Sequence, residues 1–276
     1  MINATPRPID ELELLLTQAG IADAAREAET IWRAAEREDQ GNAATRAVEM
    51  ARDRARGTPL AQVTGFTTFM GIDVAVGPGV LIPREETELL GWTAVEVLKS
   101  CAAPRVIDMC CGSGNLACGI ATAIPSAVVW GAELTASAVA VAAANIARLG
   151  LGDRVSVRQG DLFAPLENLG LAGSLDLVVC NPPYISSGKL KKERAELLDH
   201  EPIEAFDGGP YGVSIFQRVI KNALGFLKPG GHLLFEIGVG QARQVALLFD
   251  RSAGYEPTRT VADATGEPRV VIGRMK

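Results

Sequence analysis

The sequence is short of the residues that several classes of protein depend on. It has two histidines, His200 and His232, in 276 residues, which leaves an imidazole-built metal centre with almost no ligands. Its five cysteines, at 101, 110, 111, 118 and 180, include no C-x-x-C pair. An odd count also argues against a disulfide framework, so they read as reduced thiols. Positive charge is scarce: 27 Lys and Arg against 33 Asp and Glu leave a net charge of −6. The basic stripe that neutralising a phosphate backbone requires is missing, and nucleic acid is a poor expectation as substrate. No run of about 18 apolar residues occurs, and the opening MINATPRPIDELE carries acids where a signal peptide would have an apolar core. The expectation is a cytoplasmic protein that meets no membrane.

What is there is ample core: 47% of residues are apolar and 22% charged, enough for one large domain and a smaller one. The first part is rich in Ala, Glu and Arg. Leu12, Leu15, Leu16, Ile31, Trp32 and Ala35 fall at helical spacing, with Gly20 and Gly57 as stops, which predicts three short helices in a domain over 1–60. Residues 61–83, with β-branched residues and repeated glycines, predict a connecting β-hairpin. From 84 to 276 the pattern alternates strand and helix. RVIDM, VVWGAEL, VSVRQ, LDLVVC, HLLFEI and RVVIGR read as strands of a parallel α/β sheet with helices on both faces. In such a fold the ligand sits outside the carboxyl ends of the strands.

Two strand ends carry chemistry. In VIDMCCGSGNLA, Asp108 closes a strand, and Cys110, Cys111, Gly112, Ser113 and Gly114 form a turn into a helix. Glycine there lets a ligand approach the backbone, and the helix start offers free N–H groups. Alone this turn also matches the dinucleotide pattern G-x-G-x-x-A, leaving a nicotinamide cofactor, S-adenosylmethionine and a plain tight turn all open. Glu133, at the end of the next strand, can accept from ribose hydroxyls, and Asp161 from an adenine amine, with Leu162 and Phe163 flanking the ring or simply packing in the core.

The second strand end is LVVCNPPYISS, 177–187, a buried run stopped by Asn181 and two prolines that can donate no backbone hydrogen bond. An amide or aromatic amine nitrogen is a poor nucleophile because its lone pair is delocalised. The Asn181 side-chain carbonyl and the Pro182 backbone carbonyl can each accept one of its N–H groups, held rigid by Pro182 and Pro183, while Tyr184 lies against the flat group. A hydride-transfer enzyme has no use for such acceptors, so the loop selects methyl transfer from S-adenosylmethionine. Asn181, Pro182 and Tyr184 are the expected catalytic residues.

These motifs resemble those of the HemK/PrmC-type methyltransferases, which modify a glutamine side-chain amide of translation release factors. LIPREETELL (81–90), HEPIEAFDGGPYG (200–212) and GEPRVVIGR (266–274) extend the resemblance over nearly the whole chain. It implies a class I S-adenosylmethionine-dependent methyltransferase, with a Rossmann-like seven-stranded sheet and a helical N-terminal domain that helps recognise a protein substrate. Cofactor contacts fall on the turn from Cys110 to Gly114, on Glu133, Leu162 and Asn181, and the substrate amide on Asn181 to Tyr184. Three positions depart from the family pattern. Cys110 stands where a glycine is usual, and a Cβ there sits easily only at negative φ. Glu133 replaces an Asp, and Asp199–His200 replace an Arg and an aromatic. The last change motivates an alternative acceptor, an amide or amine nitrogen of a small metabolite. Methylation of adenine in nucleic acid, a non-catalytic cofactor-binding role and an oxidoreductase are weaker readings.

Overall fold

The computed structural model describes residues 8–188, 190, 201–209 and 211–276. Two compact units emerge: one runs to residue 67 and takes in 76–78, and the other comprises 68–75 and 79–276.

Alanine-rich, heavily charged sequence makes the first unit helical. Helices α1 (Pro8–Gln18), α2 (Ala24–Glu38) and α3 (Ala43–Ala55) are the three that the periodicity predicts. Leu12, Leu16, Ile31, Ala35, Ala47 and Met50 are among the side chains buried between them. Glu27 and Arg54 join α2 to α3 through two hydrogen bonds, of 2.6 and 3.1 Å. A short α4 (Leu60–Thr64) follows, so the stretch expected to open the hairpin segment begins as a helical turn, ended by Gly65 at φ 74°.

Strands β1 (Phe66–Phe69) and β2 (Ile72–Ala75) make the hairpin. It reverses at Met70 and Gly71, whose φ values of 47° and 78° suit a two-residue turn. The Met70 side chain fills the space beside Gly91 and Gly119, where any Cβ would collide with it.

The larger unit runs through α5 (Glu88–Leu98), β3 (Arg105–Met109), α6 (Asn115–Ala123), β4 (Val128–Glu133), α7 (Ala136–Arg148), β5 (Val155–Gln159) and β6 (Leu175–Cys180). It continues with α8 (Ser214–Ala223), β7 (Leu227–Glu236), α9 (Ala242–Ser252), β8 (Arg259–Ala262) and β9 (Pro268–Arg274). The seven-stranded sheet has the order β5-β4-β3-β6-β7-β9-β8. Its first five strands are parallel, while β9 runs antiparallel to both β7 and β8. All six residues of β6 are buried, as a strand covered on both faces requires. Strand β8, largely exposed, carries no apolar signal and is absent from the strands legible in the sequence. On one face Leu90, Ala94, Leu116, Ile120 and Val129 pack together. On the other, Phe216, Phe235, Phe249 and Tyr255 form an edge-to-face chain with centroids 5.0, 5.9 and 4.9 Å apart. Among the described residues no helix is long and apolar enough to cross a membrane.

The chain steps outward from β3 to β4 and β5, then returns to β6 on the other side of β3. This reversal opens a crevice at the carboxyl ends of β3 and β6. Asn145 on α7, fully buried, braces it. Its Nδ2 donates to the carbonyls of Ala75 (2.9 Å) and Ser113 (3.0 Å), and its Oδ1 accepts from the Ala75 N–H (2.7 Å). The similarly sized Asn145→Leu leaves these groups unpaired, so it should lower stability by at least about 2 kcal/mol, read as a shift in the urea midpoint.

Candidate functional site

The register sets Met109 of β3 beside Cys180 of β6, so the glycine turn and the N-P-P-Y loop leave the sheet from adjacent strands. Between them lies an open cleft of about 750 Å³, lined by Cys110, Gly112, Glu133, Asp161, Leu162, Asn181 and Pro183 among the expected residues. Val80, Ala205 and Ile215 add apolar wall.

The turn divides its residues between cleft and interior. Gly112, at φ 53°, faces space in which a Cβ would meet nothing within 4 Å. Cys110 lines the cleft at φ 60°, so the constraint that a Cβ imposes at positive φ applies here. The turn demands the left-handed conformation, and a residue with a Cβ adopts it at a cost on the order of 1–2 kcal/mol. Asp108, Cys111, Ser113 and Gly114 are not brought to the cleft wall. The thiol of Cys111 is buried against Gly131, and the Ser113 carbonyl is held by Asn145. Gly114 caps α6 at φ 75°, where a Cβ would press to 3.2 Å from that of Ala142. Asp108 is fully buried and accepts from the Ala117 N–H at 2.9 Å. It supports the turn from behind.

Glu133 is pre-engaged by the backbone. Oε2 accepts from the Gly112 N–H at 2.9 Å, and Oε1 from the N–H groups of Leu134 and Thr135 at 2.7 and 3.1 Å. Of a carboxylate's roughly four acceptor positions, about one is left for a ribose hydroxyl. Asp161 is paired with Arg218 at 2.6 Å, and Leu162 holds φ 51° at the cleft wall. Phe163 belongs to the core, stacked on Phe226 with centroids 4.7 Å apart. A glycine open to the cleft, a ribose-length acid beside it and an apolar wall fit an adenosine-bearing cofactor.

Asn181 leaves β6 at the cleft, Pro182 is buried behind it, and Pro183 reaches the wall. The loop is clamped along its back. Gln241 Nε2 donates to the Tyr184 carbonyl (3.1 Å), the Ile185 N–H to Phe206 (2.9 Å), and the Gly208 N–H to Ile185 (2.8 Å). A Cβ on Gly208 would lie 2.7 Å from the Pro183 carbonyl oxygen, so position 208 needs glycine. Glu201, 7% exposed, accepts from the Ile82 N–H at 2.7 Å and pairs with Arg84. It thereby ties LIPREETELL to the loop after N-P-P-Y. Asp199 and His200 lie outside the described residues.

Sequence reading missed Thr87 and Glu236. Asn181 Nδ2 donates to the Thr87 hydroxyl oxygen at 3.2 Å, and the Tyr184 hydroxyl donates to Glu236 Oε1 at 3.3 Å. The available signal was Glu236 itself, an acid inside the apolar run HLLFEIG. Burial raises its carboxyl above the ordinary range, opposed by the Thr87 hydroxyl, Arg269 and Tyr184. Burial likewise pushes the Tyr184 phenol up to about 12, with the Glu236 charge adding to it.

Asp108 rises from 3.8 to about 8, chiefly by burial, against the lowering effect of the Ala117 N–H. Its folded form binds the proton more tightly than the unfolded chain, so its contribution to stability is present below pH 3.8 and lost as pH rises to about 8. Asp108→Asn should therefore show no advantage at pH 4 and a growing one toward pH 8. Urea midpoints across that range check it, and a flat difference between the two proteins refutes it.

A model of a family described as "Methyltransferase domain" matches residues 102–264. The release factor glutamine methyltransferase of Gloeobacter violaceus is 39% identical over 214 residues, covering 78% of this chain and 73% of that protein. The protein of the same description from Moorella thermoacetica is 37% identical over 219 residues, covering 79% and 76%. Among solved structures, a methyltransferase from Pyrococcus furiosus shares the fold, with a TM-score of 0.51 at 15% identity over 74% of this chain and 89% of that one. With more than half of its length matched by the domain family and more than a third of aligned residues identical to such relatives, the chain belongs to the release factor glutamine methyltransferase family.

Proposed function

We propose that this protein transfers a methyl group from S-adenosyl-L-methionine to the side-chain amide nitrogen of a glutamine in a peptide chain release factor. The observation that carries the reading is Asn181 at the cleft. Its Nδ2 is tied back to Thr87, and among the described residues no hydrogen bond occupies its Oδ1. A free acceptor on a rigid loop beside the glycine turn is what a glutamine amide, two N–H donors on one nitrogen, can use.

Gly112, Glu133 and Leu162 are assigned to hold the cofactor, which when bound supplies an electrophilic sulfonium methyl. Asn181 Oδ1 and the Pro182 carbonyl each accept one amide N–H and turn the nitrogen lone pair toward the cofactor side of the cleft. Tyr184, anchored at its hydroxyl and at its carbonyl, limits how the flat amide can tilt. No residue of this set has to act as a base, because methylation makes the amide nitrogen acidic and its proton leaves readily. The chain's contribution is alignment. Glu201 and Arg84 keep the two flanking segments in register, and the N-terminal helices are assigned to recognition of the protein substrate.

Incubation with a purified release factor and labelled S-adenosylmethionine should add one methyl group to a glutamine, located by peptide mass spectrometry. Label found only in small molecules would shift the assignment to a metabolite acceptor. Asn181→Ala should bind cofactor normally in calorimetry while its turnover falls by at least about 100-fold. Retained turnover would refute the role given to Asn181.

A further inference from the structure

Tyr184 is held at three places by one short stretch of chain, the turn EIGVGQ (236–241) that leads from the end of β7 into α9. Its hydroxyl donates to Glu236 Oε1 at 3.3 Å, and its carbonyl accepts from Gln241 Nε2 at 3.1 Å. Between these two ends the ring edge comes so close to Gly238 that a Cβ there would stand 3.1 Å from Cδ2 and 3.3 Å from Cε2. Gln241 is itself fixed, because its Oε1 accepts from the Gly238 N–H at 2.9 Å. Glu236 is 3% exposed, and Arg269 Nη2 stands 4.0 Å from its Oε1 to balance it.

Each contact uses what its residue type supplies. A carboxyl oxygen accepts the phenol proton, a primary amide accepts at one end and donates at the other, and glycine leaves room for an aromatic edge. Gly238 is not among the glycines of positive φ, so the approach of the ring, and not a backbone requirement, is what this glycine serves. The hydroxyl and carbonyl contacts fix the two ends of Tyr184. The Gly238 contact limits rotation of the ring about its long axis.

Ring tilt matters because the reactive electron pair of an amide nitrogen stands perpendicular to the amide plane. A flat amide lying on the ring takes the ring's plane, so the tilt of Tyr184 sets where that pair points. We infer that the turn from Glu236 to Gln241 is the positioning element of the acceptor site: it sets the plane of the Tyr184 ring and, through the ring, the aim of the substrate nitrogen. The inference rests on the reading of Asn181 and Tyr184 given under the proposed function. Glu236, Gly238 and Gln241 are positioning residues, and none of them touches the reacting atoms.

Two variants test the turn without emptying it. Gly238→Ala adds one methyl against the ring edge. Gln241→Glu keeps the acceptor for the Gly238 N–H and turns a second acceptor toward the Tyr184 carbonyl, which then loses its donor. In both, kcat should fall by about 10-fold or more, with KM for the release factor within about threefold. Affinity for S-adenosylhomocysteine in calorimetry should stay within about twofold of the parent. Gly238→Ala should have no effect on the residual turnover of Tyr184→Ala, because the ring it collides with is gone. A residue that merely supports the fold would slow both backgrounds alike.

Ring motion gives a readout independent of turnover. The chain has three tyrosines, Tyr184, Tyr211 and Tyr255, and the ¹³C ring signals of Tyr184 are identified by their loss in Tyr184→Ala. Its ring should flip more slowly in the parent than in Gln241→Glu or Glu236→Gln. Full rate in folded Gly238→Ala and Gln241→Glu, equal slowing by Gly238→Ala with and without the ring, or unchanged flipping would each overturn the inference. If Gln241→Glu does not fold, Gly238→Ala in the two backgrounds decides the matter. Failure of the parent to methylate release factors, with ring motion still governed by the turn, would sink the substrate assignment and leave the clamp on Tyr184 standing.

Discussion

Everything at the cleft depends on the parallel pairing of β3 with β6, which sets Met109 level with Cys180. That single register puts a turn able to approach a ligand closely next to a loop of rigid acceptors. Sliding it by one residue would invert the side chains of a strand buried on both faces and separate the two segments. The six buried residues of β6 and the aromatic chain beneath β7 hold the register, so core packing is what brings the site's two halves together.

Around that junction the protein uses acids as organisers. Glu133 collects three backbone N–H groups, Glu201 joins two distant segments, and Asp108 supports the start of α6. At Glu133 and Glu201 a carboxylate suits the task because it only accepts, whereas the Asp108 carboxyl, raised by burial to about 8, takes the Ala117 N–H largely in its neutral form at pH 7. Buried acids are costly to keep unless paired. Their concentration along the carboxyl edge of the sheet therefore marks where this fold tolerates cost in exchange for a defined geometry. The two positive-φ residues at the cleft wall, Cys110 and Leu162, are further instances of strain kept where a ligand site is formed.

Much of the architecture was legible in the chain. Apolar runs of strand length between helical stretches disclosed the α/β sheet, because burial on both faces leaves a composition that periodicity exposes. Strand β8 escaped, since an exposed edge strand needs no apolar pattern. Asn181, Gly112 and Glu133 were legible because glycine, proline and a strand-end acid have few alternative uses. Ser113, Cys111 and Asp108 were assigned to the ligand by proximity in sequence, and the turn carried them inward.

By itself, then, the sequence determined the fold class and the character of two strand ends, a glycine turn and a proline-stiffened loop, since each depends on local composition and backbone restriction. Tertiary structure alone decided which residues stand behind that chemistry. Thr87 and Glu236 come from distant segments, and only the folded sheet brings their hydrogen-bonding atoms to Asn181 and Tyr184, as it brings Arg84 to Glu201. The direction of a hydrogen bond depends on its neighbours in space, and those neighbours are set by packing.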